Sequence, residues 1–463
     1  MSKVPFILEE GDGTKKISQG DLIAYLEQLG FSYVRFNGES KLVLSRNNIL
    51  QLTSKDVIIQ SIRTLLLSNE LYEEFRLFAR NFTNHISDAK LRLLGHSNPI
   101  DDRDAYNSSR LFFRNNFTIT TKENVNVNGY EDLPGVIWQD RIIDRNFAIP
   151  KKDEPGQFEI FCKNITGNNK DRFKCLQTFL GYLLHRNKER GENKAIILYD
   201  ENMGIGDMAN GRTGKTMLGR ALENCRNLIY YDGKTTNFNG NFIYQRLTET
   251  TDIVYYDDLP RNTDFDTFYS YLTTGIQVEK KFKQAFYIKN EKAPKLLISS
   301  NHYVKGDGGD SDRARRYEFE ICNYYNKDFT PEKEFGNRFF GNEWSNSEWD
   351  RFYFFMMKCI QVYLNEGLLE PEPINLKTSK IQCLTNREFS DFAEVYFERN
   401  KKLDKRELYK SFKILFPKMK DVAPHKFTKW CKIYSNHKGL VFKDKPSGGQ
   451  SFCWFNTKSR GNE

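Results

Sequence analysis

The stretch ANGRTGKT, residues 209–216, follows the apolar β run KAIILY and opens the helical stretch KTMLGRALENC. No other feature narrows so sharply what this chain can fold into. Gly211 and Gly214 permit tight turns. The backbone N–H groups of Asn210, Gly211, Arg212, Thr213 and Gly214, continued by a helix N-terminus reaching Met217, would converge on phosphate oxygens. Lys215 would reach the β- and γ-phosphates of a nucleoside triphosphate, and Thr216 would offer its hydroxyl to Mg²⁺. Ala209 stands where the first glycine of GxxxxGK[ST] belongs. A strand–loop–helix unit of this kind implies an α/β domain.

Two more β runs follow it. TDIVYYDD ends in Asp257 and Asp258, about forty residues downstream. A strand that delivers carboxylates to a phosphate site supplies what a metal ion and an attacking water need. Asp257 is expected to hold the metal's water shell and Asp258 to orient the water. KLLISSN ends in Asn301, placed to hydrogen-bond the γ-phosphate or that water. In GDSDRARRYEFEI, Arg313, Arg315 and Arg316 precede another β run. An arginine near a γ-phosphate neutralises charge that develops in the transition state.

Length and composition set the frame around this core. At 463 residues, with 39% apolar and 14% aromatic residues, the chain is expected to form about three packed domains. No run approaches the ~20 uncharged apolar residues of a membrane span, and MSKVPFILEEGDGTKK lacks the features of a secretory signal. Eight cysteines without a CxxC pair argue against a zinc ribbon or a disulfide framework, and point to a reducing cytoplasm. Cys225, Cys322 and Cys359 are read as core fillers. The formal charge of +9 is unevenly placed: residues 380–463 hold 19 Lys/Arg against 9 Asp/Glu, a net of +10. A basic surface confined to the tail points to a polyanion partner.

Residues 1–150 are expected to form a mixed accessory domain, with helices near 17–29 and after Thr53 and Ser54, and the strands FSYVRF and KLVLSR. Its acidic run IDDRD (Asp101, Asp102, Asp104) reads as a solvated loop rather than a set of metal ligands. Residues 151–190 read as two helices joined by GNN, and 191–370 as the α/β core. EPEP at 370–373 reads as a linker, and 380–463 as three helices and a hairpin, the order of a winged helix-turn-helix. Lys426, Lys429 and Lys432 recur at threefold spacing on the third helix, with Lys443 and Lys445 in the wing, suiting backbone phosphates.

This order of motifs resembles the superfamily 3 helicases of viruses, plasmids and phages, ATPases of the AAA+ type. VEKKFKQAFYI, residues 278–288, is similar to that family's hairpin V-D-x-K-x-K. The resemblance implies that Lys281 and Lys283 contact DNA phosphates in the pore of a ring, with Phe282 on the sugar or base. Two lysines around an aromatic also suit a single strand on physical grounds. The likeness covers roughly 130–455 and extends to the helical segment and tail of phage- and poxvirus-type primase-helicases. It implies a homo-hexamer hydrolysing ATP with Mg²⁺ between subunits, Arg315 acting as the arginine finger and Arg316 as the next candidate. It further implies single-stranded and forked DNA as substrates, a primase or other replication proteins as partners, and the cytoplasm of a bacterial host. Asp258 stands where many relatives carry Glu, and DENMGIGDM has no counterpart there. An origin-binding initiator and a nucleotide-switched DNA-binding regulator are the alternatives.

Overall fold

The computed structural model describes residues 4–101, 103–152, 154–188, 193–203, 213–238, 240, 242–261, 263–306, 309–447 and 450–457. The chain is mixed α/β around a five-stranded parallel sheet.

The N-terminal region holds two four-stranded sheets. One is covered by the helices Gln19–Gln28, Lys55–Ser68 and Tyr72–His85, where Leu22, Leu26, Ile58, Ile62 and Leu66 are buried at helical spacing. Ser18 caps the first of these helices by accepting from the Asp21 N–H. The other sheet joins the main core: Phe113 stacks on Phe147 at 4.8 Å, and the edge of Tyr353 meets it at 4.9 Å. The IDDRD run is only partly solvated. Asp101 is exposed, but Asp104 is buried and ion-paired to Arg226, with the buried Arg186 also beside it. Asp102 lies outside the described residues.

Two helices follow, α1 (Gln157–Ile165) and α2 (Lys170–Leu184), the second capped by the Asn169 side chain on the Asp171 and Arg172 N–H groups. The sheet is then built from β1 (Ala195–Asp200), β2 (Leu228–Asp232), β3 (Ile253–Asp257), β6 (Lys295–Ser299) and β7 (Arg316–Ile321), in the order β2-β3-β6-β1-β7. Helix α3 (Lys215–Glu223) follows β1, and the antiparallel pair β4 (Gly275–Val278) and β5 (Phe286–Lys289) stands between β3 and β6. Helix α4 (Asp310–Arg315) leads into β7, and α5 (Asn346–Glu366) packs along α2.

Every residue of β1 is buried, as expected for a parallel strand covered on both faces. Its side chains alternate between two cores. Ile196 and Leu198 pack among α2, α3 and α5, while Ala195, Ile197 and Tyr199 pack among the elements bearing the β4–β5 hairpin. From β1 the chain runs to the far edge, returns through β3 and β6, and then crosses to β7. The C-terminal ends of β1 and β6 therefore flank a topological switch, where open α/β sheets place their ligands.

Beyond residue 373 come α6 (Leu376–Leu384), α7 (Arg387–Tyr396), β8 (Leu403–Asp404), α8 (Lys405–Leu415), α9 (Pro424–His437), β9 (Leu440–Ser447) and β10 (Gln450–Thr457). The three strands form an antiparallel sheet in the order β8-β10-β9, and an aromatic core of Phe389, Phe392, Phe412, Phe427, Trp430 and Phe455 joins it to the helices.

Candidate functional site

Gly214 opens α3 with φ +118, and a Cβ there would lie 2.7 Å from the Phe161 ring. Glycine meets both demands at once. Gly219 does similar work one turn on, since a Cβ there would overlap the Tyr255 ring. These two close approaches seat α3 against α1 and β3, and so fix where Lys215 and Thr216 begin.

Lys215 is only 9% exposed. Its ammonium donates to Asp200 at 2.5 Å and to the Asn301 Oδ1 at 2.8 Å. Thr213 also donates to Asp200. Thr216 Oγ1 donates to Asp257 Oδ2 at 3.4 Å. Asp257 is held by three further hydroxyls: Tyr230 at 3.1 Å, Tyr255 at 2.9 Å and Ser299 at 2.5 Å. Burial, and then the charge of Asp257, pushes the Tyr230 phenol above its usual range, so it stays a donor. Met217 packs on the main core.

Asp258 adopts φ +57, a left-handed conformation that Asp tolerates better than most residues. A regular strand would turn Asp257 and Asp258 to opposite faces. The left-handed residue breaks that alternation, and the Asp258 carboxylate meets Asn301 Nδ2 at 2.9 Å and Lys234 at 2.5 Å. The hydrogen bond from Lys234 to Asp258, reinforced by its charge, raises the lysine above its usual value.

Thr213, Lys215, Thr216, Asp257, Asp258 and Asn301 thus converge at the C-terminal ends of three adjacent strands. Asn210, Gly211 and Arg212 lie outside the described residues, as does Ala209. The residues missed in the sequence are Asp200, Ser299, Tyr230 and Lys234. Asp200 had a legible signal, since it directly ends the strand before the loop, but it reads equally as the start of DENMGIGDM. Among the described residues no group of three or more His, Cys, Asp or Glu is arranged to hold a metal ion.

The two adjacent arginines part company. Arg315 is half-buried, donates to the Ser311 carbonyl at 2.8 Å and lies 5.2 Å from the Tyr269 ring. Arg316 is 6% exposed and held by Asp312 at 3.3 Å, Glu318 at 2.9 Å and the Val304 carbonyl at 2.6 Å. Its expected catalytic part is corrected accordingly: this guanidinium is engaged inside its own fold.

Between β4 and β5, Lys281, Phe282 and Lys283 are all exposed, and Phe282 takes φ +58 at the tip with its ring wholly in solvent. In the C-terminal region Lys426, Lys429 and Lys432 are exposed along one side of α9, while Phe427, Trp430, Cys431 and Tyr434 bury the other. Lys443 and Lys445 project from β9 opposite Trp454 and Phe452.

No family model matches the chain, and no curated protein matches it. Solved structures similar to it include the apo C-terminal region of NrS-1, at 13% identity and a TM-score of 0.43, covering 94% of this chain and 98% of that one. The JCV helicase is similar at 12% identity and a TM-score of 0.26, covering 60% and 64%. A full-length MCM homolog from Methanopyrus kandleri is similar at 8% identity and a TM-score of 0.22, covering 60% and 57%. With TM-scores below 0.5, these likenesses assign nothing to this chain.

Proposed function

We propose that this chain is an ATP-driven DNA helicase of the superfamily 3, AAA+ type, working as a homo-oligomeric ring in the replication of a phage or other mobile element. One observation carries the reading: Lys215 and Thr216 open a helix directly beside Asp257, Asp258 and Asn301 at the ends of adjacent parallel strands. The phosphates of ATP would draw Lys215 away from Asp200 and Asn301, exchanging one anionic partner for another. Thr216 and Asp257 would hold Mg²⁺, which neutralises charge on the β- and γ-phosphate oxygens. Asn301, released from Lys215, would share the attacking water with Asp258, the carboxylate accepting its proton. Arg315 would complete the site of a neighbouring subunit. Lys281, Phe282 and Lys283 would grip a single strand in the pore, two charges on phosphates and one ring on a base.

The C-terminal region, in this reading a winged helix, would bind DNA through the lysines of α9 and β9. Its compact basic face also suits an origin-binding initiator, in which unwinding is secondary. Strand displacement on a forked substrate separates the two readings.

The central test is Lys215→Ala. The substitution leaves the buried Asp200 carboxylate without its cation, and an uncompensated buried charge costs about 3–5 kcal/mol. The double variant Asp200→Asn/Lys215→Ala removes that penalty. Both proteins are expected to lose ATP hydrolysis, with the double variant keeping the unfolding temperature of the parent. Near-normal turnover in either would end the phosphate-loop assignment.

A further inference from the structure

Lys234 reaches the nucleotide site from β2, a strand that carries none of the motif residues. Backbone contacts build its position. The β2–β3 pairing ends with Asp232 opposite Asp257. The Gly233 N–H carries it one residue further by donating to the Asp257 carbonyl at 2.6 Å. A Cβ on Gly233 would lie 2.7 Å from that carbonyl oxygen and 2.9 Å from the Leu259 nitrogen, so glycine is what lets the two chains come this close. Asp232 Oδ1 then accepts the Lys234 N–H at 2.9 Å. The Asp232 carbonyl accepts the Thr236 N–H at 3.0 Å and the Thr236 hydroxyl at 2.6 Å. The turn closed in this way sets Lys234 beside Asp258, which its ammonium meets at 2.5 Å.

An unbroken run of polar contacts links this lysine to Lys215. Lys215 donates to Asn301 Oδ1 at 2.8 Å, Asn301 Nδ2 donates to Asp258 Oδ1 at 2.9 Å, and Lys234 holds Asp258 Oδ2. Two ammonium groups thus flank the Asn301–Asp258 pair, one on each side. They differ in freedom. Lys215 is buried and also bound to Asp200, whereas the Lys234 side chain is 63% exposed on a flexible four-carbon stem. Both oxygens of Asp258 are engaged, and one must open before that carboxylate can take a proton from water. A γ-phosphate arriving at Lys215 and Asn301 would also bring its negative charge against Asp258, and like charges at close range repel unless a cation stands between them.

We propose, resting on the assignment of this site to ATP, that Lys234 is a further phosphate ligand that recognises the γ-phosphate and so tells a triphosphate from a diphosphate. With ATP seated, Lys234 turns from Asp258 Oδ2 to a γ-phosphate oxygen, where an ammonium serves as a point charge with three donors. That exchange offsets the repulsion and opens Oδ2 to the attacking water. The water oxygen bonds to the γ-phosphorus and its proton passes to Asp258. The bond from that phosphorus to the β–γ bridging oxygen breaks, and its electron pair leaves on ADP. ADP falls short of Lys234, which then stays on Asp258.

ATPγS, a slowly hydrolysed triphosphate, and ADP, each titrated calorimetrically into the full-length chain, test this. Lys234→Ala leaves Asp258 about a third exposed and still bonded to Asn301, so the fold should hold. It is expected to weaken ATPγS about tenfold, the weight of one hydrogen bond to a charged group, while ADP binds as it does to the parent. The kcat/KM for ATP should fall by a similar factor. Lys234→Arg, which keeps the charge, should recover most of the lost ATPγS affinity. Equal losses for both nucleotides, or none for either, would overturn the assignment. So would a raised kcat in Lys234→Ala, which would make this lysine a brake on Asp258 instead of a phosphate ligand. Asp200→Asn/Lys215→Ala separates that failure from a failure of the site itself. Loss of both nucleotides in this double variant, beside an indifferent Lys234→Ala, sinks the role of Lys234 alone. Unchanged binding of both in the double variant removes the ATP assignment and the role of Lys234 with it.

Discussion

Arg226 and Lys295, at the base of the sheet, are each less than 8% exposed and bonded to a carboxylate or to backbone carbonyls of their own chain. Lys281, Lys283, Lys429 and Lys432, on the hairpin and the C-terminal region, stand in solvent. Both groups are cations, but only the first must be satisfied before the chain can fold. A buried charge left without a partner costs several kcal/mol, so its surroundings are fixed by the fold. An exposed lysine is hydrated at little cost, and is available to a phosphate, displacing counterions when one arrives. Burial therefore separates cations that hold the molecule together from cations that act on something else.

Arg315 and Arg316 put that division at its sharpest, because they are neighbours on opposite sides of it. Arg316→Ala should cost about 3–5 kcal/mol, as for other broken buried pairs, since it removes the guanidinium that the buried Asp312 carboxylate and one oxygen of Glu318 share. Arg315→Ala should leave the unfolding transition where it was and bind ATP normally, yet hydrolyse it ~10³-fold more slowly. Subunits carrying Arg315→Ala, mixed with Lys215→Ala subunits, should regain activity where a sound loop meets a sound arginine. A stable Arg316→Ala protein would blur the distinction. A co-assembled mixture that stays inactive would move the finger to Arg313, which is exposed.

The sequence could not have separated the two arginines. RARR offers the same chemistry at each position, and what decides is that α4 ends at Arg315 while β7 begins at Arg316. The helix that opens at Lys215, the acid pair and the hairpin were legible because each is local, carried by a run and its terminal residues. The partners of Asp257 were not, since Tyr230 and Ser299 come from neighbouring strands and reach it only through the register of the sheet. Asp104 was misjudged for the same reason: its partner Arg226 is more than a hundred residues away. The three C-terminal helices and hairpin were readable from periodicity, whereas the short β8, which completes their sheet, was not.

On the exposed side of the division, the hairpin should show an effect on one activity only. Lys281→Ala/Lys283→Ala changes two exposed side chains, of which Lys281 lies 5.9 Å from the Phe242 ring, so stability and basal ATP hydrolysis are expected to match the parent. Stimulation of hydrolysis by single-stranded DNA, and unwinding with it, should be lost. Stimulation that survives both changes would mark Glu279–Ala285 as ordinary surface.

The smallest effect per residue belongs to the C-terminal lysines, and the way to measure it follows from the same division. Deleting everything from residue 380 would mix the two kinds of cation, because Lys380 is bonded to the largely buried Glu318 and Ile381 is buried beside it. Loss of DNA binding in such a truncation would say as much about folding as about the interface. Substituting Lys426, Lys429, Lys432, Lys443 and Lys445 by Gln removes five exposed charges and spares the aromatic core beneath them. Duplex affinity should fall, and the slope of log affinity against log salt should flatten by about 0.9 for each lysine that had met a phosphate. Anisotropy across a salt series reads both quantities at once, and equal losses on unrelated sequences would mark phosphate contacts rather than base readout. If affinity and slope both stay at the parent values, these lysines are solvated surface, and the C-terminal region is free to serve a protein partner instead.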